Sequence, residues 1–362
     1  MPKRRLLYLD WLRGLAVLIM ILWHSMDAWT APWERSGPAF AVIIVIGGWA
    51  APLFLFLAGV SIPLAGETKT ARDLASWHLQ KRGWQIFGLA HLFRLQSFLL
   101  NPAASWSSVL KPDILNILGL GLVAAAFCWG RATTRARQVI WLLTPAVLIV
   151  LLAPASRVWA WPAMLRPYVP RLEAYIRPVS GMGVFSIFPW LSFVFVGTFI
   201  GSLIVESRSG GEGARFHAWL GFAGLFVALS GLVGMSLPDI TASSFWTTSL
   251  SFFLIRAGGM TAALTLAWLW LRRPTAGHWS PMIVFGRASL FVYWVHVELA
   301  YGFFTHPLHY ALPLPWALAG FVLLTVVMLG AAHAWMRRRR PLVPAFVIAS
   351  VSRPDRSNSK CY

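Results

Sequence analysis

Apolar runs long enough to cross a lipid bilayer recur along almost the whole of this chain, and no other feature constrains its fold as strongly. A hydrocarbon core about 30 Å thick takes about 20 apolar residues per helix. Such runs occupy approximately residues 6–27, 38–64, 83–100, 113–130, 138–154, 185–205, 215–236, 246–271, 282–304 and 313–335. The spacing predicts an all-α, polytopic integral membrane bundle of about ten transmembrane helices. Composition agrees: 58% of residues are hydrophobic and 12% are charged, against roughly 25% charge in a soluble domain.

The net charge of +19 would point to nucleic acid in a soluble protein. Here the basic residues fall in short clusters between apolar runs, which is the pattern of a topology signal, and no nucleic-acid partner is expected. With the amino terminus in the cytoplasm, Lys3 to Arg5, Lys69, Arg72, Lys81, Arg82, Arg131 to Arg137, Arg208, Arg215, Arg272, Arg273 and Arg337 to Arg340 all fall on the inner side. The opposite loops hold mainly Arg35, Lys111 and the arginines of 155–183, a long segment where the rule is weakest. Ten crossings then return the carboxyl terminus to the cytoplasm. The chain divides into a membrane domain, 1–340, and a cytoplasmic tail, 341–362, and its expected location is a bacterial cytoplasmic (inner) membrane. Lys3-Arg4-Arg5 before an apolar run imitates a signal peptide, but Arg13 lies within the run and no small-x-small site follows, so it reads as a retained helix.

Ionisable side chains inside a bilayer cost about 2.5–3.5 kcal/mol each and face a cavity or a partner. In the first helix Asp10, Arg13, His24 and Asp27 share one face, with Met20 between them. Arg13 and His24 are eleven residues apart, which is three turns plus a small rotation and about 16 Å along the axis. Asp10 and Arg13 read either as a structural ion pair or as part of a charged site. His24 and Asp27 read either as buried packing or as a dyad in which Asp27 orients the imidazole to take a proton from an acceptor hydroxyl or amine. Late in the chain Ser289, Tyr293 and His296 fall at i, i+4 and i+7, one helix face, with Arg287 before them. They form either a polar helix seam or the lining of a transfer path. His91 and Arg94 at i, i+3 are further candidates for lining the same cavity, as are Asp113 and Asn116. His306 and His309 lack a third ligand, so no metal is assigned. The segment 155–183, with Trp159, Trp161, Tyr168 and Tyr175, reads as an interfacial belt or as a lid.

The run from Arg13 through ten residues to His24 resembles the first-helix motif of the transmembrane acyltransferase-3 proteins. The string Leu9-Asp10-Trp11-Leu12-Arg13-Gly14-Leu15-Ala16, followed by Pro52 to Ser61, is more similar to the heparan-α-glucosaminide N-acetyltransferase family. So are Asp113-Ile114-Leu115-Asn116-Ile117-Leu118-Gly119, and Phe188-Pro189-Trp190 with Gly197 and Gly201 beyond. Gly286 to His296 resembles a late helix shared across these acyltransferases. The resemblance implies a helix bundle that moves an acyl group, usually acetyl, from a cytoplasmic coenzyme A thioester to a sugar on the far side. That family's catalytic histidine is expected in the first external loop, and residues 28–48 contain none. Either His24 does the work of that residue or the activity differs, and the N-acetylating specificity does not carry over.

The combined reading is a membrane acyltransferase using acetyl-CoA or another acyl-CoA, with a carbohydrate or glycan acceptor. Its residues are His24 and Asp27 for catalysis, and Arg13 and Arg287 for the donor's phosphates. Membrane lipid surrounds it, and a homodimer is an open possibility. A transporter or flippase with a polar intramembrane path is the alternative, against which no inverted repeat or pair of broken helices is seen in the sequence.

Overall fold

A computed structural model describes residues 6–67, 71–100, 106–158, 170–179, 185–209, 213–236, 249–272 and 279–338. The expected tail 341–362 and most of the aromatic residues of 155–183 lie outside them. The described chain is helical: α1 (Leu7–Trp29), α2 (Pro38–Gly47), α3 (Ala50–Gly66), α4 (Arg72–Leu100), α5 (Ile114–Arg131), α6 (Arg135–Gln138), α7 (Thr144–Val158), α8 (Pro170–Ile176), α9 (Ile187–Ser209), α10 (Ala214–Gly234), α11 (Leu250–Leu271), α12 (Pro281–Arg287), α13 (Ser289–Tyr301) and α14 (Leu314–Arg338). Eight helical segments are long and apolar enough to cross a membrane, or nine if α12 and α13 count as one span. The remaining expected crossing, 83–100, lies in α4. Gln85, His91, Arg94 and Gln96 lower its apolar character, yet it runs antiparallel to α5 in close contact, with Gly83 against Gly119.

Two of the expected spans are broken. The second divides at Gly48–Trp49 into α2 and α3. The late span, expected as one continuous helix, bends by 92° at Ala288 between α12 and α13. The i, i+4, i+7 pattern therefore holds only within α13.

Without a hydrophobic drive between helices in lipid, close packing by small residues takes over. Gly59 lies against the Val194 carbonyl, and Gly197 and Gly201 lie against the carbonyls of Phe56 and Val60, which clamps α3 to α9 around the fully buried Phe56 and Phe193. The approach of α1 to α12 is closer still. A Cβ on Gly14 would overlap the Met282 carbonyl, and one on Gly286 would overlap that of Asp10. At its other end α1 is tied to the start of α14 by Ala31 N–H to Leu312 O and Leu312 N–H to Trp29 O, each 2.9 Å. The Trp29 indole donates to the Ala300 carbonyl of α13 at 3.0 Å. Helix α1 is thus gripped by α12 at one end and by α13 and α14 at the other.

Gly14→Ala or Gly286→Ala should destabilise the protein by about 1–3 kcal/mol or more, the usual cost of overpacking. Gly88, with nothing within 4 Å of an added Cβ, should tolerate alanine with no loss. Thermal unfolding in detergent micelles distinguishes the two; equal behaviour of Gly286→Ala and Gly88→Ala would refute the close approach.

Candidate functional site

Asp10 is buried to 1% exposure and accepts from Arg13 Nη1 at 3.1 Å, as the i, i+3 spacing predicts. Arg13 also donates through Nη2 to Ser61 of α3. The other oxygen of Asp10 faces Arg287 Nε at 3.6 Å. Two features bring Arg287 there: Gly286 lets α12 touch the backbone of α1, and the turn at Ala288 leaves Arg287 at the end of α12, partly in the open. Among the described residues, this place holds two guanidinium groups and one carboxylate.

Further along α1, His24 Nδ1 lies 2.9 Å from His296 Nε2 of α13. His24 is partly exposed, whereas His296 is fully buried. The expected His24–Asp27 hydrogen bond does not form. Asp27 instead accepts from the Tyr301 hydroxyl at 2.7 Å and pairs with Arg35 at 3.5 Å. Arg35 also donates to the Asp27 and Thr30 carbonyls. A guanidinium and a phenol are stronger partners for a carboxylate than a neutral ring N–H; Arg35 lies in the turn that follows α1, and Tyr301 comes from α13. Asp27 reaches the histidine only through Tyr301, whose ring edge packs on His24 with centroids 5.6 Å apart.

A second polar cluster adjoins the histidine pair. Asp113 is the N-cap of α5: it accepts from Ile114 N–H, and Asn116 Oδ1 accepts from Asp113 N–H, a reciprocal capping box. The other Asp113 oxygen accepts from the Tyr293 hydroxyl at 3.0 Å and lies 3.7 Å from Arg94. His91 Nδ1 is 3.3 Å from the Val109 carbonyl, which can only accept, so that nitrogen carries the hydrogen. His91 Nε2 then accepts from the Asn116 amide at 3.3 Å. Tyr175 of α8 also points at this nitrogen, at 3.4 Å, and burial pushes its hydroxyl up to about 12, which keeps it a donor. Of the segment read as a belt or lid, this described part therefore rests on the polar cluster. The Tyr293 ring lies edge-on to His296, 6.0 Å between centroids.

Of the expected residues, the structure joins Asp10, Arg13 and Arg287 in one group and His24 and His296 in a second. His91, Arg94, Asp113, Asn116 and Tyr293 form a third. Ser289 opens α13 at the bend and belongs to none of them. Sequence reasoning missed Ser61, Arg35 and Tyr301. It also missed two bonds from α4 to α13: Trp294 to Gln96 at 2.9 Å and Ser97 to Glu298 at 2.7 Å. The Asp113-x-x-Asn116 spacing is a legible capping signal; Ser61, Tyr301 and the α4–α13 bonds are long-range and leave none, while Arg35 sits in the turn after α1, outside any helical repeat. Two clefts of about 360 and 580 Å³ open elsewhere, around Glu206 at the junction of α3, α6, α9 and α10, and touch none of these groups. Among the described residues no three His, Cys, Asp or Glu side chains gather as a metal site.

The fold and these clusters define a multi-pass helical membrane protein whose ionisable groups converge inside the bundle on α1. The profile of the family described as heparan-alpha-glucosaminide N-acetyltransferase, catalytic, matches residues 5–225. The chain belongs to that family of membrane acetyltransferases. No individual curated protein matches it. The matched residues include Arg13, His24, Asp27 and the cluster around Asp113, while Arg287, Tyr293 and His296 lie beyond them.

Asp113→Ala removes a helix cap, an ion pair and the Tyr293 bond together, and should cost about 3 kcal/mol. Tyr293→Phe, which removes one hydrogen bond, should cost about 1 kcal/mol. Thermal melts that rank the two in the reverse order would show that Asp113 is not the hub of this cluster.

Proposed function

We propose that this protein transfers an acetyl group from cytoplasmic acetyl-CoA to a sugar or glycan at the opposite face of the membrane. The observation that carries the reading is the placement of two chemically different groups on one helix: Arg13 with Arg287 toward one end of α1, and His24, paired with His296, about 16 Å further along. Two guanidinium groups sharing one carboxylate suit the phosphates of coenzyme A, because the planar fork of arginine matches phosphate oxygens. The acyl-pantetheine arm would follow α1 to His24. There His24 acts as general base on the acceptor hydroxyl or amine, which attacks the thioester carbonyl; the thiolate then leaves and takes up the proton. Sidedness follows from the distribution of Lys and Arg, with both chain ends on the cytoplasmic side of a bacterial inner membrane.

One observation favours a different reading. The 92° break between α12 and α13 is the kind of discontinuous helix that transporters use at their binding sites. Release of free thiol from acetyl-CoA by the purified protein, with glucosamine and glucose as amine- and hydroxyl-bearing probe acceptors, separates the two. An acetyltransferase consumes the thioester, and a transporter does not.

His24→Ala should lower transfer by about 10²–10⁴-fold, the usual contribution of a positioned general base, while acetyl-CoA binding persists. Wild-type turnover in folded His24→Ala protein would remove His24 from the chemistry. Arg13→Ala and Arg287→Ala should each weaken acetyl-CoA binding in a salt-dependent way, and Arg13→Lys should restore it only in part. Unchanged affinity in both alanine variants would assign these arginines to structure. For the topology, reporters fused within 67–71 and 272–280 should read as cytoplasmic; an external signal from either would refute the orientation.

A further inference from the structure

From the hydrogen bonds of His296 we infer that this residue is a positioning residue which locks His24 in the one neutral tautomer able to act as a base toward the acceptor. The inference rests on the proposal that His24 is the general base, and it assigns a role to a residue outside the matched family region.

The argument starts from a backbone carbonyl. His296 Nδ1 lies 2.7 Å from the Val292 carbonyl oxygen, one turn earlier in α13. A carbonyl has lone pairs and no hydrogen, so Nδ1 must be the donor. In a neutral imidazole the other nitrogen is then bare, and His296 Nε2 can only accept. The group facing it at 2.9 Å is His24 Nδ1, which therefore carries the hydrogen. It follows that His24 Nε2 holds a lone pair, the form required to remove a proton. Which ring nitrogen is protonated is set by the bond the other makes, and here a single carbonyl decides it through two rings in series.

The ring geometry fits this chain. The two imidazoles are inclined by only 11°, with centroids 5.1 Å apart. That separation is about the N···N distance plus the two ring radii, so the rings meet edge to edge, nearly in one plane. An N–H and a lone pair then point at each other. Full burial of His296, with Tyr293 edge-on to its ring, holds this orientation, and the Tyr301 ring edge supports His24 from another side. The expected orienting carboxylate, Asp27, is occupied by Arg35 and Tyr301, so the orienting group of this site is a second, neutral histidine.

The proton and electrons balance as follows. The acceptor O–H or N–H bond breaks and its hydrogen bonds to His24 Nε2, while the freed pair attacks the thioester carbonyl carbon. His24 is then an imidazolium whose Nδ1–H hydrogen bond to His296 strengthens, because the donor has become charged. On collapse the C–S bond breaks, and the thiolate takes the proton from His24 Nε2–H. The products are the acylated acceptor and free thiol, with both histidines returned to their starting forms.

The test needs no substrate at its first stage. In the full chain labelled with ¹⁵N-histidine in detergent micelles at neutral pH, His24 should show a protonated Nδ1 and a bare Nε2, with its signals assigned by their loss in His24→Ala. A wild-type His24 protonated at Nε2 overturns the inference. In His296→Phe the acceptor is gone and the His24 signals should move toward the Nε2–H form. In His296→Gln the amide oxygen can still accept from Nδ1–H and should hold the original tautomer. Thiol release from acetyl-CoA with the probe acceptors should fall roughly 10²-fold in kcat for His296→Phe, with KM for acetyl-CoA unchanged, and recover at least in part in His296→Gln. Wild-type kcat in a folded His296→Phe protein also overturns the inference. If only His296→Phe is silent while His24→Ala is inactive, the relay fails and the general base stands. If His24→Ala turns over normally, the general base itself fails, and the catalytic role of the relay with it.

Discussion

The close approach of α1 and α12 is the contact on which the rest of the site depends. Gly14 and Gly286 let the two backbones meet at Met282 and Asp10, and everything that follows Gly286 in the chain inherits its position from that meeting. Arg287, the next residue, falls beside Asp10. The turn at Ala288 then redirects the chain so that α13 runs beside α1, where it delivers His296 to His24. A continuous helix from 282 onward would have placed Arg287 and His296 along a single axis. The bend lets one segment serve two places on α1. This is why a membrane protein tolerates it: irregular backbone within a bilayer survives only where protein buries it.

The same rule accounts for a second break and for a charge deep in the bundle. Arg256 is 4% exposed and has no carboxylate beside it among the described residues. It donates to the Gly48 carbonyl at 2.6 Å and stacks over Phe252 and Trp49. Gly48 is the C-cap of α2, where the helix dipole gathers partial negative charge on unpaired carbonyls. The break between α2 and α3 exposes that end, and the guanidinium neutralises it. Each would be costly in hydrocarbon without the other.

What the sequence disclosed, and what it concealed, follows from the range of the forces involved. Apolar run length is local, so nearly all crossings could be read directly. Only α4 departs from the length-and-composition rule, because its polar residues, His91, Arg94, Gln96 and Ser97, face α5 and α13 rather than lipid. The Asp10–Arg13 pair and the Asp113–Asn116 cap are likewise local, at three residues' separation, and form where spacing puts them. Helical spacing proposed Asp27 for His24 by the same logic and failed, because Tyr301 lies 274 residues away and His296 lies 272 residues from His24. No periodicity carries information over such distances. The breaks at Gly48 and Ala288 were also hidden, since both spans stay apolar enough across them to read as one crossing.

Separating packing from chemistry also changes what the family motifs mean in this chain. Gly59, Gly197 and Gly201, which carry much of the resemblance, are the contact points of α3 and α9; they specify a bundle, not a reaction. Asp113 and Asn116 cap a helix before they do anything else. The residues left over once packing and capping are removed are few: Arg13 and Arg287 around Asp10, and His24 with His296. Residues 28–48 offer no histidine, and the segment that follows α1 is instead committed to holding Asp27 through Arg35. The proposed base comes instead from within the membrane helices. Of the histidines there, His91 has both ring nitrogens engaged by Val109, Asn116 and Tyr175, and His217 is fully buried and stacked on Trp268. His24 combines partial exposure with a partner, His296, that engages its Nδ1, and on that physical ground we place the proposed base there.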